Sequence, residues 1–162
     1  MIRNFINKFS TTLYVQIWEN RIKVTNTKTA SIFDEKPLID YQTKSNGKIQ
    51  VLAFGNNAKP NSINPFSHPR VIFANFYAGE KLLQEIIKKL LSSSIFTPSP
   101  NIVIHPMEKT EGGLTMIEIR AFREMAHGAG AADSVIYEGN ELQPQLINFS
   151  EMAKNNNDQW RN

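Results

Sequence analysis

The sequence predicts an α/β domain in which helices cover a mixed β-sheet. Extended segments joined by short turns fill the first third of the chain, which is typical of an antiparallel meander. After them, helical segments alternate with short apolar strands, and such connections place their strands parallel in one sheet. The 162 residues are the usual size of one domain, and the 41% apolar fraction allows a single hydrophobic core.

Four apolar segments predict the first part of the sheet. Residues 13–17 (LYVQI) and 21–26 (RIKVTN) are separated by a hairpin-sized gap. Residues 31–41 are a third extended segment, interrupted by one proline, and residues 49–54 (IQVLAF) are a fourth. Residues 55–69 contain three prolines and four asparagines, so we expect a loop there.

Two amphipathic helices and two strands are predicted in the second half. The clearest helix covers residues 75–93, because apolar residues recur at helical spacing on one face and lysines lie opposite. The TPSP segment ends this helix. Strand 101–105 (NIVIH), helix 115–127 and strand 134–137 (SVIY) follow, and two glycines mark the end of the second helix.

The composition excludes several classes of site. The absence of cysteine excludes disulfides, thiolate metal sites and cysteine nucleophiles. The net charge of +3 is far from the dense basic stripe of a dedicated nucleic-acid-binding protein, so we expect no nucleic-acid partner. No apolar run approaches the roughly 20 residues that span a bilayer, and the N-terminus lacks a signal-peptide pattern. We therefore expect a cytoplasmic protein.

The two ends of the chain differ from its middle. Residues 1–10 (MIRNFINKFS) are predicted to form an amphipathic helix, whose apolar side chains lie within one arc of roughly 140°. Apolar side chains beside bases suit a lipid–water interface, and packing on the domain is the alternative. Residues 139–162 form a polar tail that we expect to be partly disordered. The residues predicted to contact a membrane are Met1, Ile2, Arg3, Phe5, Ile6, Lys8 and Phe9.

No residue pattern indicates a complete catalytic or metal site. The sequence has no nucleophile elbow, Walker motif or dinucleotide fingerprint. Gly112–Gly113 precedes a helix and is either an anion site or a plain loop, and we favour the loop. Gly128–Ala131 (GAGA) is either a phosphate loop or a helix C-cap, and we favour the cap. Three histidines lack partners at metal-ligand spacing, and we expect them to be structural or solvated: His68, His105 and His127.

Several segments, in order, resemble one family. IFDEKPLI is similar to V-L-N-E-P-S-V-V, and VLAFGNNAK is similar to A-A-V-G-x-D-A-K. NFYAGEKLLQEIIKK resembles D-F-x-x-T-E-K-M-L-x-x-F-I-K, and TPSPNIVIHP resembles R-P-S-P-R-V-L-V-C-V-P. FREMAHGAGAADSVIYE resembles I-R-E-S-A-Q-G-A-G-A-R-E-V-x-L-I-E. With the amphipathic start, these segments resemble the MreB-like bacterial actins, the rod shape-determining proteins, over residues 1–138.

The resemblance implies a fold and a set of activities. Residues 11–138 would form a single ribonuclease-H-like domain of the actin-like ATPase fold, truncated to the first half of the family's chain. Members of the family bind ATP and magnesium between two such halves, polymerise and lie on the inner membrane. The second phosphate loop of the family, D-I-G-G-G-T-T, has no counterpart in this sequence.

The first phosphate loop of the family is altered here. Where the family has L-S-I-D-L-G-T-A-N-T-L, this chain has LYVQIWENRI, so Gln16 stands at the magnesium-associated aspartate. A neutral amide is a poorer ligand for a hard cation than a carboxylate. Glu118 aligns with the family's glutamate that positions the attacking water, and we interpret it as a remnant. We expect ATP and magnesium binding to be lost, which leaves no cofactor, no metal and no working ATPase site.

The sequence therefore predicts a non-catalytic MreB-like cytoskeletal protein that acts in cell shape. It would lie at the inner-membrane surface and bind a full-length MreB-like filament, a division component or a second copy of itself. The alternative is an ATP-binding actin-like protein whose missing half comes from another chain. A decayed gene product without a selected role is a third hypothesis, and nucleic-acid binding is a weaker fourth.

Overall fold

The structure is a computed structural model that describes residues 10–91 and 97–159. Its strands are β1 (Thr12–Trp18), β2 (Arg21–Asn26), β3 (Ile32–Glu35), β4 (Ile39–Thr43), β5 (Ile49–Phe54), β6 (Asn101–Pro106) and β7 (Asp133–Ile136). Its α-helices are α1 (Phe76–Leu91), α2 (Met116–Gly128) and α3 (Phe149–Gln159). Short 3-10 helices lie at Gly55–Asn57 and Pro144–Leu146. The predicted helix at residues 1–10 lies almost wholly outside the described residues and stays a prediction.

The larger sheet is mixed, as the alternation of strands and helices predicts. Its order is β3-β2-β1-β6-β7. Strand β2 pairs antiparallel with β1 and β3, whereas β1, β6 and β7 run parallel. Every residue of β6 is buried, because the strand is central and both faces of the sheet are covered.

A second sheet contains only β4 and β5, paired antiparallel. The extended segment predicted at residues 31–41 is divided between the two sheets at Pro37, which has no N–H to donate to a ladder. The β4–β5 register shifts beside Asp40, so Leu52 is the extra residue of a bulge and its side chain is 51% exposed.

The main core lies between the larger sheet and helices α1 and α2. Alternate residues of β1 enter this core, while Tyr14 points to the opposite face. Gly79 of α1 lets α2 approach closely, since a Cβ at Gly79 would lie 3.0 Å from the sulfur of Met125. The buried residues that the two helices contribute are Ala78, Leu82, Leu83, Ile86, Ile87, Ile119, Phe122, Met125 and Ala126.

Helix α3 covers the opposite face of the sheet. Its Phe149 joins Tyr14, Val103 and Val135 in a second buried cluster. The Asn156 amide donates to the carbonyl oxygen of Ile136 at 3.0 Å and ties α3 to β7. Helix α3 extends through Gln159, within the segment 139–162, and the partial disorder expected for that segment stays a prediction.

A short amphipathic pattern accounts for helix α3. Phe149, Met152 and Ala153 recur at helical spacing and pack on the second cluster. Asn148 begins the helix, because its side-chain oxygen accepts from the backbone N–H of Glu151 at 3.3 Å. The apolar residues of the helix pack against the strand residues Tyr14, Val103 and Val135.

Candidate functional site

Strands β1, β6 and β7 run parallel and end at one edge of the larger sheet, which we call the C-terminal edge. The β1–β2 turn, the loop after β6, the start of α2 and residues 137–148 meet there. In open α/β sheets, ligands bind outside the carboxyl ends of the strands. The C-terminal edge is therefore the candidate functional site.

The β1–β2 turn contains only two residues, Glu19 and Asn20, between the paired Trp18 and Arg21. The Arg21 guanidinium lies 4.7 Å from the centroid of the Trp18 ring. It also donates two hydrogen bonds, of 2.7 and 2.6 Å, to the carboxylate of Asp34 on β3. These bonds hold the pKa of the Asp34 carboxyl below its ordinary value. Contacts of Arg21 with Trp18 and with Asp34 of β3 therefore hold the end of the hairpin in place.

The backbone of this turn bonds within the chain. The N–H of Glu19 donates to a carboxylate oxygen of Glu108, after β6, at 2.8 Å. The carbonyl oxygen of Glu19 accepts from the Asn64 amide at 2.8 Å. The Lys109 ammonium lies 3.1 Å from the Glu19 carboxylate. A phosphate-binding turn presents free N–H groups to an anion, whereas here a carboxylate of the same chain already accepts from Glu19.

Gln16 points to the α3 face of β1 and is 1% exposed. Its amide nitrogen donates to a carboxylate oxygen of Glu141 at 2.8 Å and lies 3.9 Å from the sulfur of Met107. An amide can donate this hydrogen bond, but an ionised aspartate could not. The residue predicted to replace a metal-associated acid is therefore matched to a carboxylate from the tail.

A hydrogen-bonded network of Tyr14 and His105 lies beside Gln16. The Tyr14 hydroxyl is 2.7 Å from Nδ1 of His105 and accepts from the backbone N–H of Leu142 at 3.2 Å. Nε2 of His105 is 3.0 Å from the carbonyl oxygen of Gly139. Because that carbonyl can only accept, Nε2 carries the proton and Nδ1 accepts from Tyr14. Burial lowers the pKa of His105 and raises that of Tyr14, so both groups are neutral at pH 7.

Glu118 has a structural role at the start of α2. Its carboxylate accepts from the backbone N–H and from the hydroxyl of Thr115, each at 2.8 Å. The backbone N–H of Glu118 donates in return to the Thr115 hydroxyl oxygen at 3.2 Å. This reciprocal pair is a capping box, which satisfies helix N–H groups that have no partner inside the helix. The interpretation of Glu118 as a catalytic remnant stays a prediction.

Gly112–Gly113 forms the loop before α2 and has φ values of +79° and +85°. The N–H of Gly113 donates to the carbonyl oxygen of Thr110 at 2.9 Å. The next N–H, of Leu114, donates to the carboxylate of Glu138 at 2.7 Å. A carboxylate of the chain itself thus occupies the place that an anion would take, which agrees with the favoured interpretation as a loop.

Gly128–Ala131 is the C-cap of α2. The N–H of Ala131 donates to the carbonyl oxygen of Ala126 at 3.0 Å, which is the bond that closes a helix end around a left-handed residue. Gly130 supplies that residue, with a φ of +108°. The interpretation of the GAGA segment as a helix C-cap is confirmed.

The other two histidines lie apart from His105. Nδ1 of His68 accepts from the backbone N–H groups of Arg70 and Val71, and His127 is exposed on α2. Within residues 10–91 and 97–159, no three His, Cys, Asp or Glu side chains lie where they could hold a metal ion.

The predicted membrane contacts Met1, Ile2, Arg3, Phe5, Ile6, Lys8 and Phe9 all lie outside the described residues. Of the helices in the described part of the chain, none has the length and apolar character needed to cross a membrane.

Reasoning from the sequence missed the carboxylates that close the C-terminal edge. Glu108 and Glu141 lie in loops, and their partners are 89 and 125 residues away along the chain. One signal for the tail was present: Asn148 followed three residues later by Glu151 is a helix-start pattern, and Phe149 and Met152 lie on the same helical face.

Comparison with known proteins identifies similar sequences, although no family model matches the chain. The chain is 27% identical over 146 residues to the cell shape-determining protein MreB of Escherichia coli K12, with 85% of this chain and 41% of that protein covered. It is 30% identical over 115 residues to MreB of Pasteurella multocida, with 66% and 32% covered. The chain spans about two fifths of the length of the MreB proteins it matches, or less.

A solved structure has the same fold. The crystal structure of MreB5 of Spiroplasma citri bound to AMPPNP superposes with a TM-score of 0.56, covering 80% of this chain and 38% of that chain. The identity is 19%, so this likeness concerns the fold alone. The predicted actin-like α/β domain, with a mixed sheet and flanking helices, is confirmed.

Proposed function

Because the chain is MreB-like in sequence and actin-like in fold, we propose that it is a non-catalytic cell-shape protein that binds other components and does not hydrolyse ATP. Its proposed place is the cytoplasm, at the surface of the inner membrane. The proposal includes no nucleotide, metal or nucleic-acid ligand.

One observation carries the non-catalytic part: the C-terminal edge is closed by carboxylates of the same chain. Glu108 accepts the N–H of Glu19, and Glu141 accepts the amide of Gln16. A nucleotide phosphate placed there would meet these negative charges and would have to displace both hydrogen bonds. A magnesium ion would find an amide, already bonded, in place of an anionic oxygen.

A calorimetric titration with ATP and millimolar magnesium tests this part. We expect no heat of binding and no hydrolysis above the buffer rate, with MreB5 of Spiroplasma citri, whose structure is bound to AMPPNP, as the positive control for binding. Submillimolar binding or measurable hydrolysis would instead favour the alternative, an ATP-binding actin-like protein that another chain completes.

Membrane contact is proposed from residues 1–10, whose apolar arc is flanked by Arg3 and Lys8. A segment this short would bind weakly and reversibly, and assembly would strengthen it through avidity. Co-sedimentation with phosphatidylglycerol vesicles tests it. The double substitution Phe5→Asp and Phe9→Asp should abolish binding.

A matched control separates apolar insertion from charge. Asn4→Asp with Asn7→Asp adds the same two negative charges outside the apolar arc. These changes should weaken binding without abolishing it. Equal effects of the two pairs, or unchanged binding in the phenylalanine pair, would remove the membrane anchor from the proposal.

The proposed protein partner is an MreB-like filament, bound at the C-terminal edge. Two apolar side chains are strongly exposed there, Ile117 at 81% and Leu146 at 72%. Exposed apolar side chains at this edge are the contacts that we propose for the filament. Ile117→Asp with Leu146→Asp should abolish co-pelleting with MreB filaments. Ile32→Asp, at an exposed site on β3, should leave co-pelleting intact, and the opposite pattern would exclude this surface.

A further inference from the structure

We propose that His105 is a pH-sensitive latch that holds residues 139–142 over the C-terminal edge, and that protonation of His105 releases them. The inference concerns access to Gln16 and stands whether or not the chain binds a membrane or a filament.

The latch is a directed chain of hydrogen bonds. The N–H of Leu142 donates to the Tyr14 hydroxyl at 3.2 Å, and that hydroxyl donates to Nδ1 of His105 at 2.7 Å. On the other side of the ring, Nε2–H donates to the carbonyl oxygen of Gly139 at 3.0 Å. One imidazole therefore ties both ends of the segment 139–142 to the sheet, directly at Gly139 and through Tyr14 at Leu142.

The surroundings of the ring favour the neutral form. His105 is 2% exposed, and its ring lies edge-on to Tyr137 at 4.8 Å between centroids. The titratable groups that face it are Tyr14 on β1, Tyr137 after β7 and Glu141 in the tail. Glu141 is the only carboxylate among them, and its attraction for an imidazolium is outweighed by burial, so the pKa of His105 is lowered.

Protonation of His105 disrupts this chain of hydrogen bonds. In the imidazolium form both ring nitrogens of His105 carry a hydrogen and donate. The Nδ1–H would then point at the Tyr14 hydroxyl oxygen, and the hydroxyl hydrogen that had been donated to Nδ1 would have no acceptor. That hydroxyl already accepts from Leu142, and its site is buried. A buried donor without a partner beside a buried charge is costly, and release of the 139–142 segment lets water solvate both.

The direction of the pH effect follows from the two pKa values. In the open state His105 regains its ordinary pKa of about 6.5, whereas in the closed state the pKa is lower. Opening is therefore independent of pH above about 6.5. Between this value and the lowered pKa, the opening constant rises by up to about tenfold for each pH unit of acidification. Opening would free the carboxylate of Glu141 and expose Gln16.

Amide hydrogen exchange, measured by NMR on the full chain between about pH 8 and about pH 5, tests the latch. After correction for intrinsic exchange rates, we expect the opening constant at Leu142 to be flat above about 6.5 and to rise below it. The amide of Val15, in the buried central strand, should stay protected throughout. Equal protection of Leu142 across the range would overturn the proposal.

Two variants identify the titrating group. His105→Gln keeps a donor and an acceptor but cannot titrate, so the pH dependence at Leu142 should disappear. His127→Gln removes an exposed histidine and should behave as the parent chain. If His105→Gln does not fold, the ring signals of His105 in the parent chain decide. They must show the Nε2–H tautomer and a midpoint that coincides with opening, and any other tautomer or midpoint excludes the latch.

Discussion

The C-cap of α2 and the β1–β2 turn are two loops at which an MreB-like sequence pattern can be compared with the structure. At the C-cap the family-like GAGA segment is kept, and Gly130 makes the left-handed turn that ends a helix. At the turn the family-like glycine and threonine are replaced, and Glu19 bonds to Glu108. The first loop ends a helix of the fold, whereas the second is the turn at which we propose that phosphate binding is lost. On that proposal, the fold persists although the site does not.

The largest expected loss of stability comes from a change in the hydrophobic core. Phe122 is fully buried and packs edge-on against Phe73 at 5.1 Å between centroids. Phe122→Ala should lower the free energy of unfolding by about 3–5 kcal/mol in urea denaturation, because it leaves a cavity in the core. Ile117→Ala, at an exposed site on the same helix, should change it by less than about 0.5 kcal/mol. Similar losses for both variants would refute the packing described for α2.

A loss of stability of intermediate size is expected when Gln16 is changed. Gln16→Asp at neutral pH should lower the free energy of unfolding by about 1–3 kcal/mol, because it buries a charge and removes the donor to Glu141. Adding Glu141→Gln supplies a new donor and should recover most of the loss, which thermal denaturation of the double variant measures. A fully stable Gln16→Asp variant would mean that Glu141 is not matched to this amide.

A smaller loss of stability is expected when Glu118, the glutamate of the capping box, is changed. Glu118→Ala removes half of the capping box and should cost about 0.5–1.5 kcal/mol of stability. Glu124→Ala removes an exposed contact with Arg120 on the same helix and should cost less, about 0.2–0.5 kcal/mol. Urea denaturation measures both values. If Glu118→Ala costs nothing, the capping box does not stabilise α2.

The sequence predicts most of the fold but little of the closed edge. Helical and strand periodicity are local properties, so α1, α2 and the strands are predicted within a few residues. Partial disorder is predicted for residues 139–162 because the segment is polar and ends in an asparagine run. The contacts of Gln16 with Glu141 and of Tyr14 with His105 join residues 125 and 91 positions apart, and no local pattern encodes such pairs. One indication was available: the continuous apolar run Ile102–Ile104 places apolar side chains on both faces of β6, so the second face of the sheet needed a cover.

The β1–β2 turn bonds to its own chain, and we expect it to accept no nucleotide. NMR titration of the full chain with ATP and millimolar magnesium tests it at the atoms concerned, the backbone amide of Glu19 and the side-chain amide of Gln16. We predict that both resonances stay in place throughout the titration. Saturable shifts of these two resonances would contradict the claim and would identify the C-terminal edge as a nucleotide site.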